Sequence, residues 1–396
     1  MTNGTKSAPT AEELVARAGA LRAVLWSAAP DTDRDRRVTD AAFAAVRDAG
    51  LLKLLQPRRY GGDEGSLRTL VEVTEALGRG CGATGWVAGV LNTSSWLVAQ
   101  FPDEAQHEMW GGDPDAVAAS VAAPSASVEQ ADGGIRVTGK WGYASGSLHT
   151  GWAVLGVPLG TPDAPVPGQV LVPARDYKVD DTWYVAGLRG TGSNTILVDD
   201  VFVPAHRVNA VPALFSGTNA TEHPDAPLYR ASLSAVFGLS LIGTQLGQAA
   251  AALDYVVEKA PSRSIATTTY ASQAHSVPFH LDVAEAETKI ETARLHALRS
   301  ADVIDAHAAA GTIPDVEVRA KVRMATTWAS RQCWEAVDQL VTAHGTASFA
   351  EVNPLQRIWR DQGVACRHAG LNLRVAEEIH ARALLGTDPR SVSFLI

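Results

Sequence analysis

The chain is 396 residues long, 46% of them hydrophobic, with a formal net charge of -9 at neutral pH. That supply of apolar side chains suits two or three packed cores and excludes a disordered chain. An acidic balance without a cluster of lysine and arginine excludes a nucleic-acid footprint and a polybasic membrane patch, so small molecules and other proteins are the expected partners.

The N-terminus lacks the apolar stretch of a secretory signal, and a frayed tail is expected ahead of Thr10. Cys81, Cys333 and Cys366 are odd in number and widely spaced, which makes neither a disulfide framework nor a metal clamp and fits a reducing cytoplasm. From Thr10 to about Trp110 the pattern is helical. Thr10 is placed to cap the run from Ala11, Thr39 and Asp40 cap the run that Gly50 stops, and the run from Ser66 ends at Gly78. Gly80, Gly82 and Gly85 then spell GxGxxG. A helix rather than a strand precedes them, so the match to a dinucleotide fingerprint is accidental.

Between about Asp115 and Val211 the chain changes to short alternating runs punctuated by Gly and Pro, among them Ile135 to Gly139, Trp152 to Val157 and Ile196 to Asp199. Such spacing predicts a β-barrel or sandwich. After a connector from Ser216 to Pro227, long helices return over about Leu228 to Glu258, Phe279 to Ala310, Asp315 to Ala343 and Val364 to Leu385, a four-helix bundle. The uncharged run from Ala231 to Leu253 is long enough to span a bilayer, but Gln245 and Gln248 within it fit a buried bundle helix better. The fold class is therefore α+β in three parts: a helical domain over 1–114, a β-barrel domain over 115–215 and a four-helix bundle over 228–396.

The densest cluster of chemistry lies in the β region, where Trp141, Ser145, Gly146, His149 and Trp152 fall close together. An alternating strand breaks at Ser145-Gly146 and resumes as a more buried one, a break that presents N–H groups and a hydroxyl beside the sheet. Downstream, the run Arg189-Gly190-Thr191-Gly192-Ser193-Asn194 combines a glycine turn, hydroxyls and a cation, a set suited to ring carbonyls or a phosphate.

The pattern Trp-x-x-x-Ser-Gly-x-x-His-x-x-Trp, followed by Trp183 to Asn194 and then Val198-Asp-Asp-Val-Phe-Val-Pro204, resembles the middle domain of the acyl-CoA dehydrogenase superfamily. Within it, the chain is most similar to the two-component flavin monooxygenase branch. The resemblance implies an N-terminal helical domain, a central β-barrel, a C-terminal four-helix bundle and a homotetramer. It implies that Ser145 faces flavin N5, that Trp141 flanks the ring, and that Arg189, Gly190, Thr191 and Ser193 contact the cofactor. Trp86 and Asn92, on the helix that lines the family's cavity, and His149 near the ring are the implied substrate-pocket residues.

Near the C-terminus, Arg360-Asp361 leads to His368-Ala369-Gly370. Family dehydrogenases with their base at this point carry a glutamate about two helical turns after the Arg-Asp pair; here Ala369 and Gly370 stand there instead. His368 matches the histidine of the monooxygenase branch. Imidazole has a pKa near the operating pH, so it can accept a proton from a phenol or amine and make the substrate more electron-rich. Arg360 and Asp361 read as a helix-start ion pair and an orienting contact rather than catalysts, and the loop from Lys259 to Arg263 as solvated charge. No GxSxG elbow, HExxH or P-loop lysine occurs, and His296 and His307 stand too far apart for a helical metal pair, so no metal is expected.

The implied activity is that of an oxygenase component. It would take reduced FMN, or FAD, from a separate NAD(P)H:flavin reductase and hydroxylate an aromatic or amine-bearing small molecule through a C4a-hydroperoxyflavin. Two other readings compete: a dehydrogenase of acyl thioesters with bound FAD and a relocated base, and a member of the fold that binds a ligand or catalyses a non-redox step.

Overall fold

Thr10 caps the first helix reciprocally. In the computed structural model, which describes residues 8–161, 163–216, 226–393 and 396, its hydroxyl accepts the Glu13 N–H while the Glu13 carboxylate accepts the Thr10 N–H. The tail expected ahead of Thr10 and the connector expected after Ser216 fall largely outside the described residues. The N-terminal helices are α1 (Ala11–Ala20), α2 (Arg22–Asp35), α3 (Asp40–Asp48), α4 (Leu67–Gly78), α5 (Gly82–Val98) and α6 (Asp103–Trp110). The Thr39 and Ser66 hydroxyls open α3 and α4 by accepting N–H groups that a helix start leaves unpaired.

Eight strands follow: β1 (Ala118–Val121), β2 (Ala126–Ala131), β3 (Gly134–Ala144), β4 (Trp152–Thr161), β5 (Ala164–Pro173), β6 (Lys178–Asp180), β7 (Asn194–Pro204) and β8 (Val208–Ala210). They form two four-stranded sheets, ordered β1-β4-β5-β8 and β2-β3-β7-β6. Alternation sends Val137, Trp141 and Ile196 from one sheet, and Ala153, Leu155, Val170 and Val172 from the other, into a shared apolar core. Between Trp141 and Ala144 the register of β3 against β7 shifts. That irregularity puts Tyr143 at φ 65° and turns the chain out of the sheet into Ser145.

The C-terminal helices are α7 (Val211–Ser216), α8 (Leu233–Lys259), α9 (Val277–Ala309), α10 (Val316–His344), α11 (Pro354–Ala365) and α12 (Leu373–Leu384). The most apolar window of α8 is 83% buried within the protein, as its glutamines suggest. The single helix expected over Val364 to Leu385 is instead divided. The chain leaves α11 after Ala365, makes a 3₁₀ turn over Ala369–Leu371 and re-enters a helix at Leu373. The side chains of His368 and Asn372 both accept nearby backbone N–H groups, and such local bonds compete with a continuous helix. His368 thus stands in a break between helices.

Glycines let α4, α5 and α8 approach closely. A Cβ at Gly89 would lie 2.4 Å from the Ser240 carbonyl oxygen, one at Gly78 would lie 2.5 Å from that of Thr244, and one at Gly82 would collide with the Gln248 side chain. The GxGxxG run is therefore a helix-packing feature. A Cβ at Gly247 would lie 2.0 Å from the Glu75 carbonyl oxygen, whereas one at Gly19 on α1 would meet nothing within 4 Å. Gly247→Ala is expected to lower the unfolding free energy by ~1–3 kcal/mol. Gly19→Ala should raise it by up to ~1 kcal/mol, because alanine is the better helix former. Urea denaturation of the two variants measures both.

Candidate active site

The turn after β3 and the loop before β7 meet through a chain of buried hydroxyls. Ser145 Oγ lies 2.7 Å from Ser193 Oγ, Ser193 Oγ lies 2.6 Å from Thr191 Oγ1, and Thr191 donates to the Leu188 carbonyl at 2.8 Å. The Gly146 N–H, donated to the Thr191 carbonyl at 2.9 Å, pins the two segments together. With its proton committed to Leu188, Thr191 accepts from Ser193 and Ser193 accepts from Ser145. The chain of donors therefore ends in free lone pairs on Ser145.

Gly146 sits at φ 75°, and a Cβ there would lie 3.1 Å from Val87 of α5. The neighbouring Trp86 meets the His368 ring edge-on, with centroids 5.7 Å apart. Trp86, Leu188, Leu241, Ala365 and Leu371 form an apolar cluster of their own, with Val90 and Val364 packed against it. Leu188 joins the two halves: its carbonyl terminates the hydroxyl chain and its side chain belongs to the wall beside His368. His368 is exposed on one side, while protein, the Trp86 edge included, crowds it on the others. That crowding desolvates the imidazole and holds its pKa below the usual 6.5.

His368 Nδ1 accepts the Gly370 N–H at 3.1 Å. In the neutral ring the proton therefore resides on Nε2, which has no protein partner among the described residues. Read from sequence, His368 is a base; in the structure its free nitrogen is a donor.

The loop carrying Leu188 is clamped by α11. Leu188 sits at φ 51°, and the buried carboxylate of Asp361 accepts its N–H as well as a bond from Gln248 Nε2 at 3.2 Å. A Cβ at Gly187 would lie 2.1 Å from the Arg360 carbonyl oxygen, so the loop rests directly on the helix. Asp361 is thus an orienting contact, but it does not pair with Arg360 at a helix start; it lies inside α11, and Arg360 pairs with Asp33 of α2 at 2.8 Å. Burial pushes the Asp361 carboxyl up to about 6. A signal for this residue was present in the sequence, because Asp361 falls on the buried stripe of Leu355, Ile358 and Ala365.

Five expected site residues are committed elsewhere. Trp141 is only 1% exposed, inside the β core, and its indole N–H donates to the Gly156 carbonyl at 2.8 Å. Asn92 donates to the Leu51 and Ala88 carbonyls and accepts the Leu55 N–H, which fastens α5 to the preceding loop. His149 stacks on Phe43 with centroids 4.3 Å apart and bonds the Val38 carbonyl through Nε2 at 3.0 Å. Arg189 donates to the carbonyls of Asp33 and Val185. Gly190 is glycine because a Cβ would lie 2.2 Å from a Thr32 methyl. Each is a joint between layers, held by the contacts named. Ser145, Thr191, Ser193, Trp86 and His368 are the residues the fold brings together.

Two concavities lie elsewhere. One groove of about 930 Å3 runs past Lys140, Arg175 and Lys178, and an apolar one of about 540 Å3 lies between the end of α8 and the start of α9. Neither contains Ser145 or His368, so the site is located by its chemistry.

Two family models match the chain: the acyl-CoA dehydrogenase N-terminal domain over residues 11–113 and the acyl-CoA dehydrogenase C-terminal domain over residues 239–373. The oxygenase component of an FADH(2)-dependent resorcinol hydroxylase from Rhizobium sp. (strain MTP-10005) is 34% identical over 392 residues, 95% of each chain. The chain belongs to the flavin-dependent monooxygenases of the acyl-CoA dehydrogenase superfamily. The oxygenase subunit HsaA of the flavin-dependent monooxygenase from Rhodococcus jostii (strain RHA1) is 34% identical over 358 residues, 89% of this chain and 93% of that one. The structure of XiaF from Streptomyces sp. in complex with FADH2 and glycerol superposes with a TM-score of 0.92 at 37% identity, covering 96% of each chain. As a flavin-dependent monooxygenase the protein is an oxidoreductase acting with O2 and reduced flavin, and the thioester dehydrogenase reading falls. The residues fit that cofactor. A reduced isoalloxazine presents an N–H at N5, and the hydroxyl chain ends in the free acceptor on Ser145.

Removing the clamp tests how this monooxygenase holds its loop. Asp361→Ala leaves the Leu188 N–H without an acceptor in the core and is expected to lower stability by ~1–3 kcal/mol. Asp361→Asn, which still offers an oxygen, should cost less. The folded carboxyl titrates near 6 and an unfolded one near ~4. Its neutral form is the one the fold favours, so this group's contribution is complete below about pH 4 and is lost as pH rises towards about 6. Urea denaturation across that window should show the parent chain losing stability relative to Asp361→Asn. A pH-independent difference would show that Asp361 does not titrate there.

Proposed function

We propose that the chain is the oxygenase component of a two-component system that hydroxylates a phenol-like aromatic with reduced flavin from a separate NAD(P)H-dependent reductase. The balance is one arene C–H, one O2 and one reduced flavin giving one arene C–OH, one water and one oxidised flavin. The observation that carries this reading is His368, with a free Nε2 beside an apolar wall, at the place where family dehydrogenases carry a carboxylate. The FADH2 in the names of the resorcinol hydroxylase and the XiaF complex favours FAD over the FMN expected from sequence.

A bound reduced flavin supplies two electrons and the ring at which O2 is activated. The chain's own residues do the rest. Ser145 would accept the ring N–H, and Thr191 and Ser193 fix the direction in which the Ser145 lone pairs point. Trp86, Leu188, Leu241 and Leu371 keep water from the reacting atoms. His368 donates from Nε2 to the substrate oxygen, which favours the anionic form of that oxygen and raises the electron density of the ring. The depressed pKa keeps His368 neutral in this role. Protonation would place a hydrogen on Nδ1 and expel the Gly370 N–H. A homotetramer in the cytoplasm belongs to the same reading, supported by exposed Val277, Leu281 and Leu295, which share one face of α9.

His368→Ala is expected to lower product formation by roughly 10²- to 10³-fold. Flavin reoxidation continues and the missing product appears as H2O2. Product per flavin oxidised, with H2O2 assayed in parallel, measures the partition. In the parent enzyme, product formation should rise with pH to a plateau with its midpoint below 6.5, because the protonated ring has lost its turn geometry. Full product yield from His368→Ala would remove His368 from the mechanism.

A further inference from the structure

The turn between β7 and β8 brings His206 against α6, between Glu104 and Glu108. The two glutamates stand four residues apart, so their side chains share one face of the helix. One ligand atom from each of the three lies within 4.8 Å of the other two, and no second such group of histidines, cysteines and carboxylates occurs among the described residues. Glu108 and His206 are 98 residues apart in the chain, which is why no spacing motif announces the cluster. His206 Nε2 lies 3.0 Å from Glu108 Oε1, and Nδ1 lies 3.5 Å from Glu104 Oε1. The other oxygen of Glu108 accepts from Arg207, a mostly buried guanidinium 5.5 Å from the centroid of the Trp152 ring. Among the described residues, Glu104 has no partner except His206.

A neutral imidazole does not complete this arrangement, because it carries a single N–H. Donated to Glu108 at 3.0 Å, that hydrogen leaves the Nδ1 lone pair facing a Glu104 oxygen, two acceptors with nothing to bond them. A second proton closes the gap poorly, since 3.5 Å is long for a charge-assisted hydrogen bond, which spans about 2.7–2.9 Å. A metal ion closes it well. Nitrogen and oxygen ligands about 2.0–2.1 Å from a tetrahedral zinc stand about 3.4 Å from each other. We propose that His206 Nδ1 and Glu104 bind a divalent transition-metal cation, Zn2+ foremost, with water in the remaining positions. Glu108 takes the Nε2 hydrogen and so fixes the ring and its tautomer, as a carboxylate does behind a metal-bound histidine, and Arg207 holds Glu108 in turn. Imidazole with carboxylate suits zinc and its neighbours in the transition series, whereas Mg2+ and Ca2+ take oxygen ligands. The ion ties α6 of the helical region to the turn that ends β7. None of these residues belongs to the active site, so the proposal does not rest on the oxygenase reading.

Calorimetric titration of ZnCl2 into the untagged full chain, at about pH 7.5 where protons compete little for a ring nitrogen, tests the site. Glu104→Gln keeps the size of an exposed side chain and removes its charge, and His206→Ala removes the nitrogen. The parent chain should bind one Zn2+ that each variant binds at least about tenfold more weakly. Zn2+ should also raise the melting temperature of the parent, followed by circular dichroism, and leave that of both variants in place. A large excess of Mg2+ should not change the parent isotherm. No uptake of Zn2+ by the parent, a parent melting temperature unmoved by Zn2+, a site of equal affinity in either variant, or displacement by Mg2+ overturns the proposal. Glu104→Gln carries the test alone if His206→Ala is unfolded, since the Glu104 side chain is 68% exposed.

Discussion

Leu188 occupies a left-handed backbone conformation that costs a residue with a Cβ about 1–2 kcal/mol, and the buried carboxylate of Asp361 accepts its N–H. Its carbonyl receives the Thr191 hydroxyl and the Trp183 indole N–H, the latter at 3.0 Å. Thr191 orients Ser193, and Ser193 orients Ser145. The side chain of the same leucine closes the wall beside Trp86. One strained residue thus sets both the orientation of the Ser145 hydroxyl and the apolar packing beside Trp86. Its strain is offset by neighbours that leave it no alternative.

Those neighbours come from both helical regions. Asp33 on α2 receives Arg360 from α11 and the backbone-bonding Arg189 from the loop, while Arg36 pairs with Asp181 and lies over the Tyr184 ring. The sheets supply the irregularity that frees Ser145, α5 supplies Trp86, and the break between α11 and α12 supplies His368. These ion pairs are partly exposed and individually worth little. Their effect is geometric, since they surround a loop that must hold three hydroxyls in line.

The state of His368 has two local causes. Desolvation lowers the imidazole pKa, and the Gly370 N–H on Nδ1 fixes the tautomer. Where the sequence pattern would continue a helix, the chain makes a turn over Ala369–Leu371, and that turn holds the imidazole.

Local sequence was enough for the framework. The caps at Thr10, Thr39 and Ser66, the alternation from Ile135 to Trp141 and the order of helices, strands and helices are short-range properties, legible because neighbouring residues set them. Ser145, Thr191, Ser193, Trp86 and His368 stood out by motif. Whether a polar side chain faces a ligand or a carbonyl was decided only in three dimensions. Asn92, Trp141, His149 and Arg189 looked as ligand-like as Ser145 until carbonyls far along the chain claimed them. Asp361 meets Leu188 across 173 residues of sequence, and the turn that makes His368 a donor replaces a helix that periodicity extends without interruption. Hydrogen-bond valence is filled by whatever the tertiary fold brings within 3 Å or so, and no local pattern encodes that partner.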